Sequence, residues 1–306
     1  MKKINELLKN PYKILFGILF RTKRINKKVP DSIYLKLAYR SVFGKKLNLK
    51  NPRTFNEKLQ WLKINDRHQD YVVMVDKYNV KNYISQKIGS EYVIPNIGIY
   101  EKFEDIDFNL LPDQFVLKTT HDSGGVVICQ DKFKFDKAKA KLKLDNSLAN
   151  NFFYMGREWP YKNVKPQILV EEYKIDSQTK DLKDYKFFTF NGKVKCFKID
   201  FDRFDNHRAN YYDEDGKLLK FGEETCPPDF SKSIKMPRNL KLMISLAEKL
   251  STGIPFLRVD FYEIDGKVFF GELTFYPASG FGKFIPEEWD LLLGDWLTLP
   301  SNLENK

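Results

Sequence analysis

The amino-acid sequence predicts an α+β fold with at least two lobes, and three patterns carry this prediction. Helical periodicity dominates from Ser32 to about Arg67, whereas short apolar runs typical of strands begin near Tyr92. Two later segments are typical of antiparallel hairpins around Asn191-Gly192 and Asp265-Gly266, because such dipeptides between apolar runs favour two-residue turns. With 306 residues, 42% of them hydrophobic, the chain is long enough to bury a core in each lobe.

The first 28 residues form a basic segment that differs from the rest of the chain. They contain nine Lys or Arg and one acid, Glu6, so they carry a net charge of +8 out of the chain's +11. The remaining residues are nearly balanced in charge, which argues against a broad face for nucleic acid. We therefore expect no nucleic-acid partner.

An apolar run from Pro11 to Phe20 lies inside this basic segment. It is shorter than the roughly 20 residues of a membrane-spanning helix, and it lacks the cleavage pattern of a signal peptide. Two interpretations stay open. In the first, the run is an interfacial anchor that places Phe16, Leu19 and Phe20 in an anionic inner membrane leaflet. In the second, it is an ordinary helix packed on its own domain.

Three helices are predicted before the first strand. The stretch "DSIYLKLAYRSVFG" has apolar positions at Ile33, Leu37 and Ala38 and a stop at Gly44. The stretch "NPRTFNEKLQWLKIND" has a capping start at Asn51-Pro52, with an apolar face formed by Phe55, Leu59 and Leu62. A third helix is predicted from Asp76 to about Lys87, ended by Gly89.

Strand-like and helical segments alternate in the remainder. The strands are predicted in "YVIPNIGIY", "QFVLKTT", "GVVICQ" and "QILVEEY", and they precede the two hairpins. Two further helices are predicted, from about Asp136 to Asn150 and near Asn239 to Leu250.

The cysteines and histidines exclude several classes of function. The three cysteines are widely spaced and form no Cys-x-x-Cys, so neither a disulfide framework nor a zinc knuckle is indicated, and a reducing cytoplasm is expected. The three histidines lack the spacing of a zinc hydrolase, and no Gly-x-Ser-x-Gly elbow is present.

The second hairpin carries two carboxylates, Asp260 and Glu272, whose relation depends on register. A two-residue turn would set Asp260 opposite Gly271 and turn Glu272 to the other face. A three-residue turn would leave Asp260 and Glu272 as diagonal neighbours on one face, joined by Arg258 and Thr274. In the second case the face offers oxygen ligands for Mg²⁺ beside a guanidinium, a combination suited to a triphosphate.

Three lysines occupy positions that are unfavourable for a cation unless an anion binds nearby. Lys77 is predicted in the first turn of a helix, where the dipole disfavours a cation unless an anion is near. Lys186 stands on a predicted strand between two aromatic residues, and Lys118 ends an apolar strand before Ser123-Gly124-Gly125. That loop can offer backbone donors to phosphate, although no Walker lysine follows it.

In this order the segments resemble the ATP-grasp superfamily over roughly Asp76 to Gly282. The matching stretches are "DK" opening a helix, "FVLK" before a Ser/Gly loop, "ILVEEY", "DYKFFTFNGK" and "RVDFYEIDGKVFFGELTFYPASG". Within it, "FNEKLQWLKINDR", "KTTHDSGG" and "GELTFYPASGF" are similar to the TupA-like group of bacterial surface-polysaccharide and teichuronopeptide biosynthesis.

The resemblance implies a nucleotide site clasped between two α+β lobes. Lys77 and Lys118 would hold phosphates under a flexible lid, His121 to Val126, in which Ser123, Gly124 and Gly125 close over them. Adenine would be received by the hinge strand, with Glu171 and the backbone near Glu172 and Tyr173 reading its amino edge.

The same resemblance implies the catalytic groups. Asp184 would lie near ribose and Lys186 near the transferred phosphate, while Arg258 would face the acyl phosphate. Asp260 and Glu272 would bind Mg²⁺. Many ATP-grasp enzymes have an asparagine metal ligand two residues after the glutamate, where this chain has Thr274. Either the Thr274 hydroxyl is a metal ligand in its place, or Mg²⁺ has fewer protein ligands here.

The implied function is an ATP-dependent carboxylate-amine ligase that forms an amide through an acyl phosphate. It would use ATP and Mg²⁺ to join an acidic sugar or peptide to an amine or amino acid in the cytoplasm. The implied division is a basic amphipathic segment (1–30), a helical region (31–90), a lid lobe (91–173) and a C-terminal lobe with the metal site (174–306).

Three alternatives stay open. A sugar kinase or phosphotransferase would pass phosphate to a hydroxyl. A glycosyltransferase would use an Asp-x-Asp motif, which Asp200-Phe201-Asp202 spells, although this triplet is predicted to end a hairpin strand. A non-catalytic scaffold would bind nucleotide without turnover.

Overall fold

The computed structural model describes residues 11–177, 182–202 and 206–301. Its α-helices are α1 (Pro11–Arg21), α2 (Lys23–Lys28), α3 (Asp31–Phe43), α4 (Phe55–Asn65), α5 (Asp70–Val75), α6 (Val80–Lys87), α7 (Lys137–Leu148), α8 (Phe153–Gly156), α9 (Leu240–Leu250) and α10 (Glu288–Trp296). Its strands are β1 (Asn96–Tyr100), β2 (Phe115–Thr119), β3 (Val126–Cys129), β4 (Ile168–Glu172), β5 (Asp184–Phe190), β6 (Lys193–Phe201), β7 (Arg208–Tyr212), β8 (Leu218–Leu219), β9 (Gly222–Glu223), β10 (Phe256–Ile264), β11 (Lys267–Thr274) and β12 (Phe284–Ile285).

A four-stranded antiparallel sheet, the small sheet, has the strand order β1-β4-β2-β3. Strand side chains alternate between faces, and one face of this sheet carries Phe115, Leu117, Ile168 and Val170. These side chains form a core with Ala140 and Leu144 of α7, which is capped at its start by Asp136 as predicted. The opposite face carries the charged residues Lys118 and Glu171 beside the apolar Val116 and Leu169, and it is called the polar side of the small sheet.

A six-stranded antiparallel sheet, the large sheet, has the order β11-β10-β5-β6-β7-β8. Residues paired in register point to the same side, so Val259, Phe187, Phe197 and Tyr212 form one apolar row across four strands. Rings of this row stack, with centroids 5.2 Å apart for Phe187 and Phe197. The apolar residues belong to the largest core, which includes the buried side chains of α9.

Both hairpins turn at the predicted dipeptides through two-residue turns, and this decides the length of the second turn, which the sequence had left open between two and three residues. Asn191 and Gly192 have φ values of 50° and 80°, and Asp265 and Gly266 have 50° and 75°. Two successive positive φ values define the type I′ turn, which matches the twist of the flanking strands.

The helical region agrees with the sequence prediction in extent, but some details differ. Gly44 ends α3 with a φ of 70°, whereas Ile33, predicted on its apolar face, is 50% exposed because Tyr34 and Leu35 face the core instead. The face of α4 formed by Phe55, Leu59 and Leu62 is buried as predicted.

The predicted starts of α4 and α6 are wrong. Helix α4 begins after Thr54, whose hydroxyl accepts from Glu57 N in a capping box, rather than at Asn51-Pro52. Helix α6 begins at Val80 because the Asp76 carboxylate accepts from the backbone of Tyr78 and Asn79 in a preceding turn. Lys77 therefore lies in the turn between two helices and not in the first turn of a helix.

The N-terminal helices α1 and α2 pack on the rest of the protein by one face. Leu19 is buried, and the Phe16 ring lies edge-on to Tyr34 with centroids 5.3 Å apart. The expectation that Phe16 and Leu19 enter a membrane is thus wrong, since both face the core. The outward side chains of α1 are Ile14, Leu15, Ile18 and Phe20. Among the described residues, no helix combines the length and apolar character needed to cross a bilayer.

Candidate active site

The predicted metal carboxylates come together through a register that combines a two-residue turn with a bulge. Ile264 pairs with Lys267 and Phe261 with Phe270, as a two-residue turn requires, but the next pair is Asp260 with Glu272. Gly271 is the extra residue, so Asp260 and Glu272 lie directly opposite each other on one face. Both registers considered from the sequence are therefore wrong, because neither included a bulge.

A glycine suits this bulge because the two strands approach closely there. A Cβ atom on residue 271 would lie 3.1 Å from the backbone oxygen of Asp260 and 3.2 Å from the ring of Tyr262. Both distances are tighter than ordinary van der Waals contact. Gly271 thus permits the alignment of the two carboxylates.

Arg258 joins the two carboxylates from the same face. Its Nε and Nη2 donate to the two oxygens of Asp260, each at 2.7 Å, and Nη2 also donates to Glu272 Oε1 at 2.6 Å. The Thr274 hydroxyl donates to the same Glu272 oxygen at 3.2 Å. These are the hard oxygen atoms that Mg²⁺ prefers, so the donor set fits the ion. The carboxylate oxygens of Asp260 and Glu272 that could bind Mg²⁺ are also the oxygens that accept hydrogen bonds from Arg258.

Lys186 extends this charged face toward the middle of the sheet. It is paired in register with Asp260, and its ammonium forms an ion pair with Asp184 and lies 3.2 Å from Asp200 and 3.6 Å from Asp260. Burial disfavours the ammonium, but Asp184 and Asp260 outweigh that effect and raise the pKa of Lys186 above its ordinary value. The lysine therefore stays charged in a buried carboxylate cluster.

Two charged residues of β6 join the same face: Lys198, which was not predicted as a site residue, and Asp200, which was considered only as part of an Asp-x-Asp motif. Lys198 is paired in register with Lys186 and lies 3.0 Å from Glu223, while Asp200 contacts Lys186. Alternation in "KVKCFKIDF" would have placed Lys198 and Asp200 on one face, so the signal was present. The Asp200-Phe201-Asp202 triplet ends β6, as predicted.

The small sheet holds a second charged cluster around Glu171. Its carboxylate forms ion pairs with Lys81 and with Lys118, the latter at 2.5 Å. Burial opposes ionisation, but the two lysines outweigh it and lower the pKa of Glu171. In this structure Glu171 therefore neutralises the predicted phosphate lysine. Glu172 is more exposed and pairs with Lys174, and the Tyr173 hydroxyl accepts from Gln130 at 3.0 Å.

The Ser/Gly loop after β2 is tied down at its base. Lys77 Nζ donates to the carbonyl oxygens of Thr119, at 2.9 Å, and Asp122. The Asp122 carboxylate accepts from the Thr119 hydroxyl at 2.5 Å and from Gly125 N at 3.1 Å. A Cβ at position 125 would lie 1.8 Å from Thr119 Oγ1, whereas one at Gly124 would meet nothing within 4 Å. Close packing therefore requires the glycine at 125 only.

A cavity of about 270 Å³ brings several predicted residues together. Lys77, Asp122 and Ser123 line it from one side, and Arg258, Glu272 and Thr274 from the large sheet. Lys118 and Lys186, by contrast, are held in the separate Glu171 and Asp184/Asp200/Asp260 clusters. The predicted residues thus fall into three charged groups, of which only the first lines this cavity.

Two further buried charged residues, Lys63 and Glu158, were not predicted from the sequence as site residues. Glu158 lines the cavity, is 5% exposed and accepts a hydrogen bond from the Ser279 hydroxyl. Lys63 Nζ donates to Gly156 O at 2.6 Å, Ser279 O at 2.7 Å and Gln60 Oε1 at 3.0 Å. Polar residues at i, i+4 and i+7 of α4, namely Asn56, Gln60 and Lys63, form a stripe that helical periodicity could have revealed.

A family model described as TupA-like ATPgrasp matches residues 57–298, which is most of the chain. The chain belongs to the TupA-like ATP-grasp family. This membership confirms the predicted resemblance and the predicted ATP-grasp fold, and the α+β architecture with two antiparallel sheets agrees with it. No curated protein matches this TupA-like chain.

Several solved structures are similar to this TupA-like ATP-grasp protein. D-alanine–D-alanine ligase from Bacillus anthracis is 20% identical with a TM-score of 0.37, covering 66% of this chain and 56% of its own. The corresponding ligase from Helicobacter pylori is 14% identical with a TM-score of 0.40, covering 80% and 69%. The biotin carboxylase domain of 2-oxoglutarate carboxylase from Hydrogenobacter thermophilus is 14% identical with a TM-score of 0.38, covering 75% and 47%. The TupA-like chain thus spans just over half of the Bacillus anthracis ligase.

Proposed function

We propose that this protein is an ATP-dependent carboxylate-amine ligase that uses ATP and Mg²⁺. The observation that carries the proposal is the arrangement of Arg258, Asp260 and Glu272 on one face of β10 and β11, with Arg258 and Glu272 lining the same cavity as Lys77. Family membership supports the same conclusion. Cations beside paired carboxylates suit a triphosphate whose charge must be neutralised before transfer.

In the proposed reaction a substrate carboxylate takes the terminal phosphoryl group of ATP, and an amine then displaces phosphate from the acyl phosphate. Lys77 and Lys118 bind nucleotide phosphates, Lys186 stabilises the transferred group, and Arg258 binds the acyl phosphate. Mg²⁺, held by Asp260, Glu272 and Thr274, would neutralise charge on the triphosphate. The protein mainly positions and stabilises charge, as in phosphoryl transfer generally.

The nucleotide is proposed to lie between the polar side of the small sheet and the charged face of the large sheet. Adenine would meet the hinge at Glu171, Glu172 and Tyr173, and ribose would lie near Asp184. Ile128, which is 50% exposed on the same face as Lys118, supports an apolar floor for the base. Ser123, Gly124 and Gly125 would close over the phosphates.

We assign the substrates by class. The carboxylate belongs to an acidic sugar or peptide and the nucleophile is an amine or amino acid, in bacterial surface polysaccharide biosynthesis such as that of capsule, O-antigen or teichuronopeptide. The resemblance of the TupA-like motifs supports this pathway. The four-part division at residues 30, 90 and 173 remains part of the proposal.

We also propose that the protein is cytoplasmic and peripheral on the inner face of the membrane. The outward side chains of α1, Ile14, Leu15 and Ile18, are 43%, 49% and 58% exposed. The basic residues of the same segment would contact anionic head groups, each contributing about 1 kcal/mol. A helix with one packed face and one apolar outward face can bind a membrane surface while it stays folded on its own domain.

The test is ADP release with MgATP and pairs of uronic acids and amino acids. We expect Lys118→Ala and Asp260→Asn each to lower the rate at least about 100-fold, the effect of removing one stabilising group. Lys165→Ala, an exposed lysine paired with Glu101, is the matched control and should keep the full rate.

Wild-type ADP release by both site variants would show that the site assignment is wrong. Product analysis separates the alternatives. A ligase yields an amide and free phosphate, a kinase or phosphotransferase yields a phosphorylated sugar, and a glycosyltransferase consumes a nucleotide sugar.

A further inference from the structure

The buried carboxylate of Glu158 lines the same cavity as Arg258 and Glu272, and the proposed function gives it no role. We propose that Glu158 binds the amine substrate and accepts its proton when the amide forms. The inference rests on the proposed ligase function and names the subsite for the second substrate. It makes Glu158 a catalytic residue.

The position of the Glu158 side chain is fixed by contacts with the loop that carries Ser279 and, through Lys63, with α4. Its Oε1 accepts a hydrogen bond from the hydroxyl of Ser279, which lies 121 positions later in the sequence. Lys63 links the segment that precedes Glu158 to the Ser279 loop, because its ammonium donates to the carbonyl oxygens of Gly156 and Ser279. The carboxylate is therefore preorganised at the cavity wall before any substrate binds.

The loop that carries Ser279 has a backbone conformation that non-glycine residues rarely adopt. Ala278 and Ser279 have φ values of 47° and 54°. Such conformations persist where the surroundings over-determine them, and they cluster at active sites. Here the polar stripe of α4 supplies the restraint, because Gln60 donates to Gly280 O at 2.6 Å and Asn56 to Gly282 O at 2.8 Å.

The charges of the cavity separate the two substrates. Arg258 and Lys77 are cations and suit the acyl phosphate, whereas Glu158 is an anion and suits an amine or ammonium group. Burial raises the pKa of Glu158, and Lys63 opposes the shift only in part. A carboxylate that is more basic than usual is a better proton acceptor for an attacking amine. Phe152 and Tyr161, whose ring centroids lie 4.9 Å apart, add an aromatic wall that can cover an organic substituent.

The amine attacks as its free base, and its nitrogen loses one proton when the amide forms. The nitrogen lone pair forms the C–N bond at the acyl carbon, and the bond between that carbon and the phosphate oxygen breaks. Phosphate leaves with the electron pair of that bond. The proton lost by nitrogen passes to Glu158 and from there to water when the amide departs.

The test compares two nucleophiles in one enzyme. The full-length protein is incubated with MgATP and D-glucuronate or D-galacturonate, and either with glycine, L-alanine, L-glutamate or L-lysine or with hydroxylamine. Hydroxylamine is largely unprotonated at neutral pH, so it traps the acyl phosphate without needing a base. For Glu158→Gln we expect the ratio of amide to hydroxamate to fall about 100-fold, the lower range for a general base.

Two variants control for structural effects. Glu104→Gln removes an exposed carboxylate outside the cavity and should leave the ratio unchanged. Glu158→Asp keeps the base but shortens it, so it should recover part of the amide rate. Thermal melting of each variant shows whether it is folded.

The pH profile distinguishes a base from a structural carboxylate. Amide formation should fall with pH in both proteins because the amino group becomes protonated, but the wild type should show a further acidic limb at the raised pKa of Glu158 that Glu158→Gln lacks. The charged and titratable groups that face Glu158 are Lys63 from α4, Arg258 from β10, Glu272 from β11, and the phenols of Tyr161 and Tyr276. The Lys63→Met variant should therefore shift the limb to higher pH, since it removes a charge that lowers the pKa of Glu158.

The results of these measurements test the assignment of Glu158 separately from the ligase proposal. An unchanged ratio in a folded Glu158→Gln protein overturns the assignment of Glu158 and leaves the ligase proposal intact. Equal loss of amide and hydroxamate also overturns it, because Glu158 would then act in the first step. If the wild type releases no ADP with any pair, the ligase proposal itself fails and this inference fails with it.

Discussion

At the scale of single residues, the charge of a buried side chain is compensated by residues that are distant in the sequence. Glu171 is the clearest case, because its carboxylate pairs with Lys118 of the neighbouring strand and with Lys81 of α6. Both lysines are largely buried, with side chains 22% and 11% exposed. One carboxylate therefore compensates two cations between the small sheet and the helical region.

We expect Glu171→Gln to lower the free energy of unfolding by about 3 kcal/mol, since it leaves two buried ammonium groups without a counter-ion. The pKa of Glu171 is lowered in the folded state, so its stabilising effect is present above the ordinary value of 4.5 and is lost as pH falls through the folded pKa. Urea unfolding at pH 7 and pH 4 checks this. The difference between wild type and variant should shrink at the lower pH.

Glu172→Gln is the matched control for this prediction. The neighbouring carboxylate is 43% exposed and forms an ion pair with Lys174, so its loss should cost less than about 1 kcal/mol. Equal effects of the two substitutions at pH 7 would contradict the assignment of Glu171 as a buried counter-ion.

At the scale of elements, local sequence signals place most helices and turns correctly. The Asn-Gly and Asp-Gly turns, the Gly44 stop and the extent of α9 follow from residues within one turn of the chain. The start of α4 was missed because Asn51-Pro52 and Thr54-x-x-Glu57 are both capping signals, and only the second makes the hydrogen bonds. The bulge at Gly271 was missed because it depends on contact between two strands.

We expect Gly271→Ala to disturb the alignment of Asp260 and Glu272, because the added methyl group would press on the Asp260 backbone. The affinity for MgATP should fall about tenfold, which corresponds to about 1.4 kcal/mol. Titration with a fluorescent ATP analogue in the presence of Mg²⁺ measures the change.

Gly266→Ala is the control in the same hairpin. It replaces a turn glycine with a φ of 75°, so it should cost about 1–2 kcal/mol of stability without moving the carboxylates. If both variants bind MgATP as the wild type does, the bulge has no role in aligning the site.

At the scale of the whole molecule, the N-terminal helix α1 has one face that packs on the protein and one face that is exposed. Its inner face packs through Leu19 and Phe16, and α2 is joined to the body because Arg157 donates to Asn26 O at 2.6 Å. The outer face stays apolar and exposed. The packed side of α1 and the side proposed to contact a membrane are therefore different.

We expect the full chain to float with liposomes that contain anionic lipid, and less so at high salt, because screening weakens the basic contacts. The combined substitution Ile14→Ser, Leu15→Ser and Ile18→Ser should abolish flotation and leave the melting temperature almost unchanged, since these side chains are exposed. Phe16→Ser is the contrasting variant, because it should lower the melting temperature. Equal flotation of wild type and triple variant would contradict the membrane proposal.

The sequence by itself determined the fold class and the positions of both hairpin turns, and its resemblance to ATP-grasp proteins supplied the residues proposed to bind nucleotide and metal. These features depend on periodicity and on motifs whose parts lie close together in the chain. Only the tertiary structure decided the partners of those groups, namely Lys81 for Glu171, Asp200 for Lys186 and Ser279 for Glu158. Burial and charge pairing depend on contacts between distant segments, such as the bond from Gln60 to Gly280 across 220 positions. A local pattern carries no information on such contacts.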